Sequence, residues 1–337
     1  MDRTKASTRY VLLAVWLLST VGLAWLVLRG HHTFDSSATL PALLALLLCT
    51  AALLWWLSSG APPVPPHAPR TRRGRFALLL LLAILVLLAL RAIVGPPLLF
   101  ALPVIGLVVL AILRPRFSPL EMAYAASLAL LAGIAGLGAR WVTIPPWTWA
   151  GLQVALVFPG LLAGWAILRH TGLLQAGIGH SLWVADGWAP ALRSFAYGIA
   201  LATPWALGMI VLGSANQETW VQHWWQPLIA IQPGIAEEAW GRVLLVPLLF
   251  LALRPVARAR TALAASLLVM AYWFAYLHTS GGLGALISTA MIGTLFALPT
   301  SYLWLRRGLE TAIGFHFCLD FVKFVAAYLL NRGLWPS

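Results

Sequence analysis

The sequence predicts an all-α protein, a polytopic bundle of about eleven transmembrane helices. Of its 337 residues, 61% are hydrophobic and only 9% are charged, whereas about 25% of residues are charged in an average soluble domain. The hydrophobic residues also form runs of roughly 17 to 22 positions, the length that an α-helix needs to cross a bilayer. Too few polar side chains remain to cover a water-exposed surface, so we expect lipid to surround most of the chain.

Eleven such runs follow one another, each bounded by charged residues, Pro or Gly. The first starts at Tyr10 and is interpreted as a retained helix, because no small-residue cleavage site and soluble mature domain follow it. The third and fourth runs are separated only by a Gly-Pro-Pro corner. The predicted spans are residues 10–28, 38–57, 76–94, 97–113, 120–138, 149–168, 194–213, 234–253, 261–278, 283–304 and 309–329.

The basic residues in the loops predict the orientation of these spans. With the N-terminus placed in the cytoplasm, sixteen of the 22 Lys and Arg residues fall in cytoplasmic loops, three on the other face and three within spans. Such a bias marks the cytoplasmic side, so we expect the N-terminus inside and the C-terminus outside. The net charge of +13 is then a topology signal and an attraction to anionic lipid, not a nucleic-acid surface. The compact loops favour a bacterial inner (plasma) membrane.

Two regions are predicted to differ in role. Residues 1–145 form an N-terminal extension of about five nearly featureless helices, whereas residues 146–337 contain the groups that could carry chemistry. An ionised group at the bilayer centre costs roughly 2.5–3.5 kcal/mol on insertion scales, so charges retained within spans indicate function. The cysteines Cys49 and Cys318 lie inside apolar runs and are predicted to be buried thiols.

Adjacent carboxylates open the eighth span. Glu238 and Arg242 are spaced i, i+4, which places both side chains on one helix face and predicts an ion pair. Glu237 is rotated by about 100° from its neighbour and is left without a partner on its own helix. A carboxylate held in a low-dielectric cleft can act as a general base near neutral pH. The alternative is an ion pair beside a carboxylate wetted at the membrane interface.

Two further motifs lie in later spans. Phe274 precedes His278 by one helical turn at the end of the ninth span. His316 and Asp320 are also one turn apart in the last span, so the carboxylate can orient the imidazole. The structural alternatives are an interfacial histidine for the first motif and a polar contact between helices for the second.

Together the three motifs resemble those of the CAAX protease and bacteriocin-processing family of intramembrane endopeptidases. The motifs are Glu-Glu-Ala-Trp-Gly-Arg at 237–242, Phe-Ala-Tyr-Leu-His at 274–278 and His-Phe-Cys-Leu-Asp at 316–320. The resemblance covers roughly residues 150–330. It implies hydrolysis of a peptide bond in a membrane-associated protein or peptide.

The resemblance also implies a role for each site residue. Glu237 would activate water, with His278 helping to hold that water. His316 and residue 320 would stabilise the oxyanion, while Glu238 and Arg242 would support the site. The family's motif has Asn or Asp at this position, and its best-understood members have Asn where this chain has Asp320; an ionised Asp cannot donate a hydrogen bond. Three alternatives follow for Asp320: its carboxyl group is protonated, its carboxylate orients His316, or the hydrolytic activity is weakened.

Other chemistries and functions stay open. Glu237, His278 and His316 could ligate zinc and leave one position for water, but the sequence lacks a His-Glu-x-x-His motif, so the metal mechanism ranks second. A binding or immunity protein that keeps the protease fold is the main alternative function. A transporter is disfavoured because the chain does not consist of two similar halves. Because Glu237 and His278 fall near outer helix ends, the site is expected in the outer half of the bilayer.

Overall fold

The computed structural model describes residues 3–30, 36–58, 97–140, 143–255, 257–279 and 283–335. The protein is 83% helical, and the described ranges contain no strand. This confirms the all-α prediction.

The helices are numbered α1 to α11 in chain order. Their bounds are Arg3–Leu28 (α1), Ser36–Ser58 (α2), Pro97–Leu113 (α3), Pro119–Gly136 (α4), Pro146–Thr171 (α5), Leu182–Asp186 (α6), Trp188–Val211 (α7), 231–253 (α8), Ala259–Leu277 (α9), 283–307 (α10) and Leu309–Asn331 (α11). The connection between α7 and α8 contains two short 3₁₀ turns, Ser214–Gln217 and Gln226–Ala230.

Eight of the described helices are long and apolar enough to cross a membrane. Two more predicted spans correspond to α3, which is shorter, and α8, whose helical geometry changes partway along. The predicted span 76–94 lies outside the described residues. Ten of the eleven predicted spans therefore coincide with helices, and the protein is an integral membrane protein.

Two helices contain π-helical segments that periodicity did not predict. In α8 the segment Glu238–Leu245 separates the α-helical turns Ile231–Glu237 and Val246–Leu253. In α10 the segment Gly293–Ala297 follows Leu283–Ile292 and precedes Leu298–Arg307. A π segment widens the helix and redirects the side chains that follow it, and such segments are frequent at functional sites.

The apolar interior of the described residues consists of two large clusters and a small one around Trp149. The first large cluster is formed mainly by α3, α4, α5, α8 and α9, with some residues of α10 and α11, and includes Trp240 and Phe274. The second is formed mainly by α1, α2, α7 and α11 and includes Phe315 and Leu319. Because the motifs on α8 and α9 belong to one cluster and the motif on α11 to the other, the polar residues meet at their boundary.

The first two helices pack on this core through specific contacts. Trp16 donates from its indole nitrogen to the carbonyl of Leu201 at 3.0 Å, and Trp205 donates to the Thr50 hydroxyl at 3.2 Å. Cys49 and Cys318 are both free and buried, as predicted.

Glycine permits the closest approach of α7 and α11. A Cβ atom at Gly198 would meet the backbone of Thr311, and a Cβ atom at Gly314 would meet the backbone of Phe195. The two helices can touch only where neither carries a side chain, as is common between membrane helices. This contact fixes α11, and with it the third motif, against the bundle.

The start of α11 is held by a buried carboxylate. Glu310 is 4% exposed and accepts hydrogen bonds from the hydroxyls of Ser181 and Tyr124 at 2.5 and 3.1 Å and from the backbone N–H groups of Leu182 and Trp183, each at 3.1 Å. Four donors satisfy the carboxylate, as the burial of a charged group requires. Glu310 therefore ties α11 to α4 and to the start of α6.

Candidate functional site

Helices α8, α9 and α11 bring all three predicted motifs together. The Oε2 atom of Glu237 lies 3.8 Å from Nε2 of His278 and 3.5 Å from Nε2 of His316. The same His316 nitrogen lies 3.5 Å from Oδ2 of Asp320. Two histidines that lie 41 and 79 positions after Glu237 in the sequence thus converge on one of its carboxylate oxygens.

The π segment of α8 begins between the two adjacent glutamates. Glu237 ends the α-helical turn and remains 20% exposed at its side chain, whereas Glu238 starts the π segment and is fully buried. The two carboxylates consequently have different environments. Glu237 faces the histidines at the cleft, and Glu238 points into the protein.

Glu238 forms the predicted ion pair with Arg242, with Oε1 at 3.1 Å from Nη1. The arginine side chain is 1% exposed, donates from Nε to the Ser301 hydroxyl at 3.4 Å and donates from Nη2 to the Ala297 carbonyl at 3.5 Å. Ala297 ends the π segment of α10. The pair therefore holds α8 against α10 on the buried side of the site.

Glu238 also orients His316. Its Oε1 atom lies 2.8 Å from Nδ1 of His316, and because an ionised carboxylate can only accept, Nδ1 carries the proton in this contact. The opposite ring nitrogen, Nε2, is thereby directed at Glu237 and Asp320.

Phe274 packs beneath both histidines. Its ring centre lies 4.5 Å from that of His278 and 6.0 Å from that of His316. The guanidinium carbon of Arg242 lies 4.4 Å from the same ring centre, within the range of a cation–π contact. Phe274 is thus the apolar floor that separates the buried ion pair from the cleft.

His278 has its orientation set by α9. The Phe274 carbonyl lies 2.8 Å from Nδ1 of His278, and since a carbonyl can only accept, Nδ1 carries the proton. Nε2 then holds the lone pair of a neutral ring and faces Glu237. The His278 side chain is 43% exposed, so the cleft opens on this side.

Sequence reasoning missed two charged residues at the site. Lys323 places Nζ 3.1 Å from Oδ1 of Asp320 and 3.0 Å from Oε1 of Glu218, which lies in the connection between α7 and α8. The i, i+3 spacing from Asp320 could have indicated Lys323. No local signal could have indicated Glu218, because only tertiary packing brings it to α11.

Further hydrogen bonds surround the Lys323–Glu218 ion pair in the connection between α7 and α8. Trp220 donates to Oε2 of Glu218 at 2.6 Å, and the Asn331 amide donates to the carbonyls of Glu218 and Val221 at 3.0 and 2.8 Å. These bonds hold the Trp-rich connection against the end of α11.

The fixed charges of this network do not balance. Among the described residues, its four carboxylates are Glu218, Glu237, Glu238 and Asp320, and its two fixed cations are Arg242 and Lys323. With neutral imidazoles the network carries two negative charges. Uncompensated charge is costly in a low-dielectric interior, so protons on the site or a bound cation must offset part of it.

The Oε2 atom of Glu237 is the candidate reactive atom of the site. Throughout the described part of the chain, Oε2 of Glu237 finds no hydrogen-bond partner although it is buried. The nearest groups are the two histidine nitrogens, both beyond hydrogen-bonding distance. An unpaired buried carboxylate oxygen beside two imidazoles fits a small bound species, such as a water molecule.

The donor types that surround this oxygen, two imidazole nitrogens and a carboxylate, are also those of zinc sites. Over the described ranges, however, no set of three His, Cys, Asp or Glu side chains is arranged to hold a metal ion. The zinc hypothesis for Glu237, His278 and His316 therefore stays a prediction.

Fold and site together define a class: an integral membrane helical bundle with a buried acid and histidine cluster on three helices. Comparison with protein-family models, curated proteins and solved structures finds no match for this chain. The resemblance to the CAAX protease and bacteriocin-processing family therefore depends on the three motifs alone.

Proposed function

We propose that the protein is an intramembrane endopeptidase in which Glu237 is the general base that activates water. The observation that carries this proposal is the unpaired Oε2 atom of Glu237, which faces Nε2 of both His278 and His316. A general base needs a free lone pair within reach of the proton that it abstracts, directly or through one water.

In the proposed reaction that water lies between Glu237 and His278, and Oε2 of Glu237, which is buried, must become accessible to it. A water oxygen about 2.8 Å from each of two atoms fits a pair that is 3.8 Å apart. Such a water donates one hydrogen to Oε2 of Glu237 and the other to the lone pair on Nε2 of His278. Its own lone pairs then point away from the protein groups, toward an incoming peptide carbonyl.

The reaction follows from this arrangement. The water oxygen attacks the carbonyl carbon while Glu237 takes its proton, which gives a tetrahedral intermediate with a negative oxygen. Glu237 then returns the proton to the amide nitrogen as the C–N bond breaks. Hydrogen-bond donors must face the negative oxygen, and the family resemblance assigns this role to His316 and residue 320.

The charge state of Asp320 affects how strongly the negative oxygen of the intermediate is stabilised. Its Oδ1 atom pairs with the Lys323 ammonium at 3.1 Å, the natural partner of an ionised carboxylate, which only accepts hydrogen bonds. Of the three alternatives for Asp320, this contact favours the second, in which the carboxylate orients His316. Nε2 of His316 is then the donor in the proposed oxyanion site, which requires an imidazolium ring because Nδ1 also carries a proton toward Glu238.

The substrate is a membrane protein or a membrane-associated peptide. The site is assembled from helices that cross the membrane, and the exposed side of His278 is its opening. Among the described residues, Glu238, Arg242 and Phe274 are buried on the opposite side, so we expect a peptide to reach Glu237 from the side of His278.

The test compares new peptide termini in host membranes that contain wild-type protein, Glu237→Gln or no protein. Glu121→Gln is the matched control, because Glu121 pairs with Arg169 away from the cleft. We expect termini that occur only with wild type and Glu121→Gln. General-base loss typically lowers rates by about 10²–10⁴-fold, so those termini should vanish in Glu237→Gln.

A specific observation also favours a second function. The Asp320–Lys323 pair places an acceptor where relatives of the family have a donor, which would weaken peptide hydrolysis. A binding or immunity protein with the same fold would need no donor there. If all samples share the same termini while a cellular phenotype of the wild type survives in Glu237→Gln, this second function replaces the first.

We also propose an orientation with the N-terminus in the cytoplasm of a bacterial inner membrane. His223 is exposed in the connection that precedes α8, and Arg258 is exposed at the end of α9 opposite His278. A membrane-impermeant thiol reagent applied to intact cells should label His223→Cys and not Arg258→Cys. The reverse labelling would place the site on the cytoplasmic side.

A further inference from the structure

A cavity between α9 and α10 lies away from the acid and histidine cluster. Its volume is about 310 Å³, at the lower end of the roughly 300–1,000 Å³ typical of small-molecule pockets. Apolar side chains line most of it, among them Leu263, Leu267, Leu298 and Leu305, and two arginines, Arg260 and Arg306, lie on its wall.

The two arginines occupy the same end of the cavity. Arg260 is in the first turn of α9, and Arg306 is in the last turn of α10. The two helices are packed side by side and run in opposite directions, so these turns lie at one membrane boundary. Arg260 is exposed there, where a charged headgroup can reach it.

The apolar lining extends from that charged end into the membrane. Leu268 lies eight residues after Arg260, and Leu298 lies eight residues before Arg306. At 1.5 Å per residue, each helix carries the lining about 12 Å away from its arginine. The cavity is therefore cationic at the boundary and apolar along the hydrocarbon region.

We propose that this cavity binds an anionic phospholipid, with its phosphate at Arg260 and Arg306 and one acyl chain along the leucines. Guanidinium groups pair well with phosphate oxygens, and basic pockets between membrane helices bind acidic headgroups. A zwitterionic lipid offers the same chains, but its own cation repels the arginines. This site is independent of the proposed peptidase function.

The test measures lipid binding by the purified full-length protein in detergent, using native mass spectrometry. Phosphatidylglycerol and phosphatidylcholine with identical acyl chains are the probes. A basic side chain near a headgroup contributes about fivefold in affinity, so two arginines should give a preference of roughly 30-fold for phosphatidylglycerol. The double variant Arg260→Gln/Arg306→Gln should lose this preference.

Two further variants separate the site from general charge effects. Arg193→Gln removes an exposed arginine outside the cavity and should keep the full preference. Ala264→Trp fills the cavity from an exposed position on α9 and should weaken the binding of both lipids. Thermal unfolding of each variant shows whether it remains folded.

Three outcomes would overturn the proposal. The first is a double variant that retains the preference for phosphatidylglycerol. The second is an Arg193→Gln variant that loses as much as the double variant, which would show a diffuse charge effect. The third is glycerol phosphate, which lacks acyl chains, competing as tightly as the lipid, because the apolar lining would then contribute nothing.

Discussion

Nε2 of His316 lies 3.5 Å from Oε2 of Glu237, while Nδ1 of the same ring lies 2.8 Å from Oε1 of Glu238. One imidazole thus connects two adjacent glutamates whose side chains point in different directions. The connection is possible because the π segment of α8 starts at Glu238. Through His316, the buried pair Glu238–Arg242 is therefore linked to the largely buried carboxylate of Glu237.

The buried ion pair predicts a strong asymmetry between single and double substitutions. Arg242→Met leaves Glu238 buried without its cation and should lower the free energy of unfolding by about 3–5 kcal/mol. Glu238→Gln/Arg242→Met removes both charges and should recover most of that loss. Thermal or denaturant unfolding in detergent measures both. Equal losses in the single and double variants would contradict the pairing.

Substitutions of Asp320 test the proposed oxyanion site. Asp320→Asn keeps an acceptor for Lys323 and adds a donor toward the cleft, so it should cleave at least as fast as wild type. Asp320→Leu removes the contact to His316 and should lower the rate by about 10²–10³-fold, the cost typical of a lost oxyanion donor. Appearance of the new termini over time provides the rates. Loss of activity in Asp320→Asn would show that the negative charge itself is required.

The two ion pairs of Lys323 predict that α11 holds the Trp-rich connection between α7 and α8 in place. Lys323→Met leaves Glu218 and Asp320 without their shared cation, so the connection should detach locally. Amide hydrogen exchange across residues 218–226 should accelerate, while exchange in α5 stays unchanged. Lys323→Arg, which retains the charge, is the control. Unchanged exchange in Lys323→Met would show that the hydrogen bonds from Asn331 suffice.

The close contact at Gly164 predicts that α5 can pack this closely against α8 only when residue 164 has no side chain. A Cβ atom at Gly164 would collide with the Val243 backbone, whereas a Cβ atom at Gly151 on the same helix meets nothing within 4 Å. Gly164→Ala should therefore destabilise the protein by about 1–3 kcal/mol, and Gly151→Ala should not. Detergent unfolding compares the two, and similar stabilities would mean that α5 shifts without cost.

The choice between glutamate and zinc chemistry predicts the effect of chelation. With Glu237 as base and no metal, cleavage by the purified protein should persist after dialysis against a strong chelator. Zinc content of the active protein, measured by elemental analysis, should fall well below one ion per chain. Loss of cleavage that returns only with added Zn²⁺ would instead assign Glu237, His278 and His316 as ligands.

Composition and the length of the hydrophobic runs predicted the all-α class, the membrane environment and the positions of ten described helices, although α1 and α7 start several residues earlier than expected. The physical reason is that span length and hydrophobicity are local properties, which lipid enforces on each helix separately. The i, i+4 spacing likewise determined the Glu238–Arg242 pair, since both side chains belong to one helix.

Only the tertiary structure decided which groups meet. The π segment that separates Glu237 from Glu238 depends on how α8 packs between its neighbours, and no periodicity signals it. The contact of Lys323 with Glu218 joins residues 105 positions apart, and the cavity lined by Arg260 and Arg306 exists only because α9 and α10 lie side by side. Such contacts arise from packing between helices, which close approach at Gly164, Gly198 and Gly314 permits and which no single helix encodes.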